Sequence, residues 1–122
     1  MERIFTHDEA TELLPRLTEL LTALQAAQRA AMEETAESEY TPVASNGSAA
    51  AAMKASGPFH EAQHLSMEIE QLGVIVRDPD SGLVDFAAVR DGRPVYLCWR
   101  LGEERIGFWH DRDTGFMGRL PL

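Results

Sequence analysis

The sequence predicts an α+β fold, a long antiparallel helix hairpin followed by a small antiparallel β-meander. Three features predict it. Apolar residues recur in steps of three and four from Ala10 to Ala31. A Pro-, Gly- and Ser-bearing stretch breaks that pattern at Tyr40–Gly57. Beyond Gly73, short runs rich in β-branched and aromatic residues are divided by turn signals. At 122 residues the chain is one domain, with the hairpin over about 6–72, a mobile tip over about 40–57, and the meander and C-terminal tail over about 73–122.

The first helix starts at a capping box. In Thr6-His7-Asp8-Glu9 the Thr6 hydroxyl can accept from the Glu9 amide while the Glu9 carboxylate accepts from the Thr6 amide. Phe5 and Ala10 stand where a hydrophobic staple forms, and Asp8 and Glu9 suit the positive end of the helix dipole. Ala10, Leu13, Leu14, Leu17, Leu20, Leu21, Leu24, Ala27 and Ala31 form a narrow, heptad-like stripe. Pro15 removes the bond to the Thr11 carbonyl and predicts a kink, but the stripe keeps its phase on both sides, so the helix continues. It should end between Ala36 and Tyr40, after roughly 45–50 Å.

Tyr40 to Gly57 reads as a mobile tip: Pro42, Asn46, Gly47 and Ser48 are loop formers, and the alanine run Ala49–Ala52 has helix propensity but little to bury. Gly57-Pro58 opens a second helix with Pro58 in its first turn. Phe59, Ala62, Leu65, Ile69 and Leu72 mark its buried face, and Gly73 closes it.

The remainder is strand and turn. Val74–Arg77 and Leu83–Phe86 flank the turn Asp78-Pro79-Asp80-Ser81-Gly82. The strongest strand is Pro94–Leu101, with Val95, Leu97, Trp99 and Leu101 on one face and Tyr96, Cys98 and Arg100 on the other. Gly102-Glu103-Glu104 is a hairpin-length loop, and Arg105–His110 returns antiparallel. The tail, Asp111–Leu122, is polar and punctuated by glycine.

Charge narrows the function classes. The net charge is -9, from 20 acids against 11 bases, and 12 of the acids but only 4 of the bases lie in residues 1–72. That balance opposes non-specific binding to nucleic acid or to an anionic membrane, since both need surplus Lys and Arg. The sequence holds no apolar run long enough to span a bilayer, and Met1–Phe5 lacks the apolar core of a signal peptide, so the expected location is the cytoplasm. A single cysteine, Cys98, excludes an intrachain disulfide and a cysteine-based zinc site.

Several runs resemble the uncharacterised bacterial family DUF2203. They are Phe5-Thr6 with Glu9-Ala10 and Leu13-Leu14-Pro15; Leu72-Gly73-Val74 followed by Asp78; Gly82-Leu83-Val84-Asp85-Phe86; Leu97-Cys98-Trp99-Arg100-Leu101-Gly102-Glu103; Trp109-His110; and Gly115-Phe116 with Gly118-Arg119 and Pro121-Leu122. The resemblance covers both ends of the chain and omits the Tyr40–Gly57 tip. It implies membership and a bacterial source, and it supplies no catalytic residues.

Two clusters carry chemistry. Trp109, His110, Asp111, Asp113 and Arg119 fall close together near the C-terminus and form a candidate ligand site. An imidazole beside two carboxylates can bind a metal or act as an oriented base, and Arg119 can grip a carboxylate or phosphate. The plain alternative is that Arg119 pairs with Asp111 or Asp113 and pins the tail, with Trp109 as a packing residue. In the second cluster His60 and His64 lie one turn apart on the second helix, so both can reach one metal ion. Glu61 and His64 have the Glu-x-x-His spacing of di-iron bundles, but one copy is present and only Glu12 or Glu19, or a second chain, can add ligands. Otherwise this is a solvated helix face. Cys98 reads as a small buried hydrophobe rather than a nucleophile, and no phosphate-binding, nucleotide-binding or hydrolase motif occurs.

These residues lead to a non-enzymatic binding or interaction module, with no cofactor and no catalytic residue assigned, as a homodimer joined through its helices. The dimer is expected because the long stripe exceeds what one short helix and a small sheet can cover. The partner is a protein or small molecule. The alternative is a small metal-dependent enzyme or metal-binding protein using His60 and His64, or His110 with Asp111 and Asp113.

Overall fold

Helix α1 begins where the capping box places it. The Thr6 amide donates to Glu9 Oε1 at 2.8 Å and the Glu9 amide donates to Thr6 Oγ1 at 3.1 Å. These two bonds hold the Glu9 carboxyl below its ordinary range. The computed structural model of the chain describes residues 2–39 and 57–122. Within them α1 spans His7–Glu39 without a break at Pro15. The expected tip lies outside the described residues, apart from Gly57 at its edge.

The α1 stripe is covered within the chain. Ala10, Leu14, Leu17, Leu20, Leu21, Leu24, Ala27 and Ala31 are all buried. Their partners are Leu65 and Ile69 of α2 (Gly57–Gln71) and the inner face of the sheet. Each fully buried leucine contributes about 1.5–3 kcal/mol of transfer free energy, so this stripe dominates the core. The helices run antiparallel: Arg16, early in α1, bonds Glu68, late in α2, at 3.0 Å, whereas Met32 and Phe59 line one groove at the other end. No helix among the described residues is long and apolar enough to cross a membrane.

Five strands follow in sequential antiparallel order: β1 (Ile75–Asp78), β2 (Leu83–Arg90), β3 (Arg93–Arg100), β4 (Phe108–Asp111) and β5 (Leu120–Pro121). Asp91 and Gly92 both adopt positive φ, 52° and 76°, the geometry of a two-residue hairpin turn matched to strand twist. That turn carries β2 on to Arg90, four residues past the expected end at Phe86, and pairs Arg90 with Arg93 and Asp85 with Cys98. The return strand is shorter than expected. It starts at Phe108 rather than Arg105, and the Ile106 carbonyl accepts a 2.8 Å bond from His7 Nε2 instead.

The pleat divides the sheet into two unlike faces. Val84, Phe86, Ala88, Val95, Leu97, Trp99 and Trp109 face the helices and join one core with them. Asp85, Tyr96, Cys98 and His110 share the opposite face. That face is covered by the C-terminal segment, which turns through a 3-10 helix at Phe116–Gly118 and returns as β5 beside β4. The Leu122 amide then donates to the Gly107 carbonyl at 2.9 Å.

Candidate functional site

The outer face of the sheet and the tail enclose a cavity of about 390 Å³. Its floor is Asp85, Cys98 and His110, and its walls include Arg77, Arg112, Asp113, Gly115 and Phe116. Neighbouring strands supply one floor residue each. Asp85 on β2 is paired directly with Cys98 on β3, and His110 on β4 stands opposite Tyr96, one pleat along from Cys98.

Asp85 and His110 are both 2% exposed. His110 Nε2 lies 3.0 Å from Asp85 Oδ1 and 3.1 Å from Oδ2. The other ring nitrogen, Nδ1, donates to the Asp111 carbonyl at 2.7 Å. A carbonyl can only accept, so Nδ1 carries a hydrogen. Nε2 faces a carboxylate, so that contact needs one further proton, shared by the pair. Behind Asp85, Arg77 Nε donates to Oδ2 at 2.9 Å, and this bond raises the Arg77 guanidinium above its usual value despite the opposing effect of burial. Arg77 and Arg112 both stack on the Tyr96 ring, at 5.0 and 4.3 Å. Arg112 Nη1 also donates to Glu2 at 2.8 Å, which ties the N-terminus to the cavity wall, while its Nε is buried without a hydrogen-bond partner.

Cys98 is a protonated thiol in this setting. Burial first, and the Asp85 charge second, push it up to about 11, against a smaller opposing effect of Arg119. An activated nucleophile needs the reverse shift, so the geometry supports no thiolate attack.

The structure redistributes the C-terminal cluster. Of its five residues, His110 and Asp113 line the cavity. Trp109 does not: alternation sends it to the helix-facing core, where Arg90 stacks on it at 4.8 Å. Asp111 pairs with Arg93 at 3.1 Å on the surface. Arg119 pairs with neither Asp111 nor Asp113. It bonds Glu103 of the β3–β4 loop at 3.2 Å, approaches Cys98 Sγ at 4.0 Å, and lies 3.9 and 4.6 Å from the ring centres of Phe108 and Phe116. Burial works against its charge, but the Glu103 and Cys98 contacts keep it raised overall. Arg119 thus fastens the tail to the β3–β4 loop through Glu103, which corrects the expected pairing with Asp111 or Asp113.

The second cluster stays on the surface. His60 and His64 are exposed on α2, and His64 Nε2 contacts Glu68 at 2.9 Å. Glu68 also binds Arg16, which in turn reaches Glu19, so Glu19 belongs to a surface ion-pair chain rather than a ligand set.

Sequence reasoning missed Asp85, Arg77 and Arg112, and set Cys98 aside. Asp85 stands in the short run Leu83–Phe86, where nothing local marks it as part of a site. The signal that finds it is Asp91-Gly92: a two-residue turn there fixes the hairpin register, and counting back along both strands sets Asp85 against Cys98. The family model described as "Uncharacterized conserved protein (DUF2203)" matches residues 3–122. No curated protein and no solved structure matches the chain.

Proposed function

The chain belongs to the DUF2203 family, whose description names no activity, and from the geometry we propose that it is a binding module, taking a small polar ligand between the outer face of its sheet and its C-terminal segment. One observation carries this reading: a buried acid and imidazole, with a guanidinium behind them, form the floor of a cavity instead of being packed shut. A buried ion pair is a weak source of stability, so its position at the base of an opening favours a role in recognition. Arg77 and Arg112 on the walls select for an anionic group, a carboxylate or phosphate.

The test is an NMR titration with acetate, inorganic phosphate and small dicarboxylates. Saturable shifts confined to the Thr114, Gly115 and Phe116 amides and the His110 ring are expected. No shift from any probe, or shifts spread evenly over α1, would contradict the reading.

Self-association through the helices keeps a narrower basis than the stripe, since α2 and the sheet cover that stripe. Its support is the pair Met32 and Met67, 68% and 56% exposed, beside one groove between α1 and α2. Light scattering at micromolar concentration should give a dimer mass, and a clean monomer removes this part. The cytoplasm is the compartment we propose, because a lone buried thiol suits a reducing environment.

A further inference from the structure

We propose that Asp85, Cys98 and His110 hold one divalent transition-metal ion, zinc by the chemistry of the donors, on the floor of the cavity. The inference rests on the reading of that cavity as a binding site and names a ligand for it. An oxygen, a sulfur and a nitrogen, one from each of three adjacent strands, all lie within 4.8 Å of one another, and all three residues are buried. Among the described residues this is the cluster whose donor atoms converge on a point; His60 and His64 bring no third ligand.

Each donor is oriented from behind in the way a metal ligand requires. The Asp111 carbonyl takes the His110 Nδ1 hydrogen and turns Nε2 inward. Arg77 holds Asp85 Oδ2, so Oδ1, at 3.0 Å from Nε2, is the carboxylate oxygen without an arginine partner. Arg119 stands beside Cys98 Sγ, a placement that stabilises a thiolate once the ion is bound. One cysteine cannot build a cysteine-rich zinc site, but one thiolate beside an imidazole and a carboxylate is an ordinary mixed set.

The spacing fits. Bond lengths of roughly 2.0–2.2 Å to nitrogen and oxygen and 2.3 Å to sulfur set tetrahedral donor separations of about 3.3–3.7 Å. The present Nε2–Oδ1 distance of 3.0 Å opens by a few tenths and the sulfur moves inward. Charge also closes. The ion displaces the proton shared by Asp85 and His110 and the proton on Cys98, both of which pass to solvent. One carboxylate and one thiolate then neutralise a 2+ ion. Three protein ligands leave the fourth position directed at the cavity, the arrangement of an exchangeable site rather than a closed structural one.

The experiment uses the full chain, purified without an affinity tag and stripped with a chelator, and titrates it with Co(II) alone. The expected result is one equivalent bound, with four-coordinate visible bands and a sulfur-to-cobalt charge-transfer absorption, both erased by one equivalent of Zn(II). Cys98→Ala should lose the sulfur absorption, and the double variant His60→Ala/His64→Ala should keep it. The proposal is overturned if the wild-type chain binds no stoichiometric cobalt, if it binds cobalt without the sulfur band, or if the His60/His64 variant is the one that loses it. The wild-type spectrum decides the matter alone should Cys98→Ala fail to fold. Amide shifts with small anions in a protein that binds no cobalt would leave the cavity reading standing and remove the metal.

Discussion

Asp85 and His110 face each other across 3.0 Å in the outer layer of the sheet, each held from behind: Asp85 by Arg77, and His110 by the Asp111 carbonyl. Both side chains are buried, at the base of the cavity. The pair therefore stands or falls together, because losing one member strands the other in a medium that solvates it poorly.

Asp85→Ala should accordingly destabilise the protein by about 3–5 kcal/mol, the usual result of breaking a buried pair from one side. Urea unfolding measures it. A loss below about 1 kcal/mol would mean that His110 is not relying on this carboxylate.

Arg119→Ala should lower stability by roughly 1–2 kcal/mol, since it removes a half-buried ion pair to Glu103 and two aromatic stacks. Asp111→Asn and Asp113→Asn should stay within about 0.5 kcal/mol, as expected of surface positions. Thermal unfolding of the three variants side by side checks both statements, and equal effects from all three would return the Arg119 partner to the tail itself.

Two glycines at left-handed φ separate backbone strain from crowding. At Gly82 (φ 73°) an added Cβ would sit 2.5 Å from Leu101 Cβ, while at Gly92 (φ 76°) it meets nothing within 4 Å. Gly92→Ala should cost about 1 kcal/mol from conformation alone, and Gly82→Ala clearly more. The order of their denaturation midpoints tests this, and a reversed order would contradict the β1–β2 turn packing on Leu101.

The sequence made the helical layer legible in detail because a 3.6-residue period, a capping box and a proline-opened second helix all act locally. The Thr6–Glu9 exchange, the burial from Ala10 to Ala31 and the turn at Gly73 are local readings of this kind. The site was less legible because it depends on register between strands. Ala87 and Ala88 have little strand preference, so local propensity ends β2 at Phe86, and without its last four residues the Asp91-Gly92 turn cannot align Asp85 with Cys98. The alignment of His110 is harder still. It depends on the path of the loop from Leu101 to Gly107, which is fixed by tertiary bonds such as His7 to Ile106 and Trp99 Nε1 to the Glu103 carbonyl. Arg77 and Arg112 reach the site only because that assembly is in place.

The Cys98 thiol gives a pH signature. Burial lifts it from 9.0 to about 11 in the folded chain. The unfolded chain therefore loses this proton first as pH rises, and the stability associated with it is present below pH 9.0 and lost by about pH 11. In chelator-treated protein, wild type should fall in stability relative to Cys98→Ala across that window. Parallel pH profiles for the two would show that the thiol is not buried as described.

The cavity exists only while the tail is fastened over the sheet, and amide hydrogen exchange tests that most directly. The amides of Gly118, Arg119 and Leu122 donate to the carbonyls of Gly115, Phe116 and Gly107 at 3.1, 3.1 and 2.9 Å. All three should exchange far more slowly than in an unfolded chain, and the Leu122 amide should lose its protection in Arg119→Ala. Exchange of these amides at unfolded-chain rates in the wild-type protein would mean that the tail does not close the cavity.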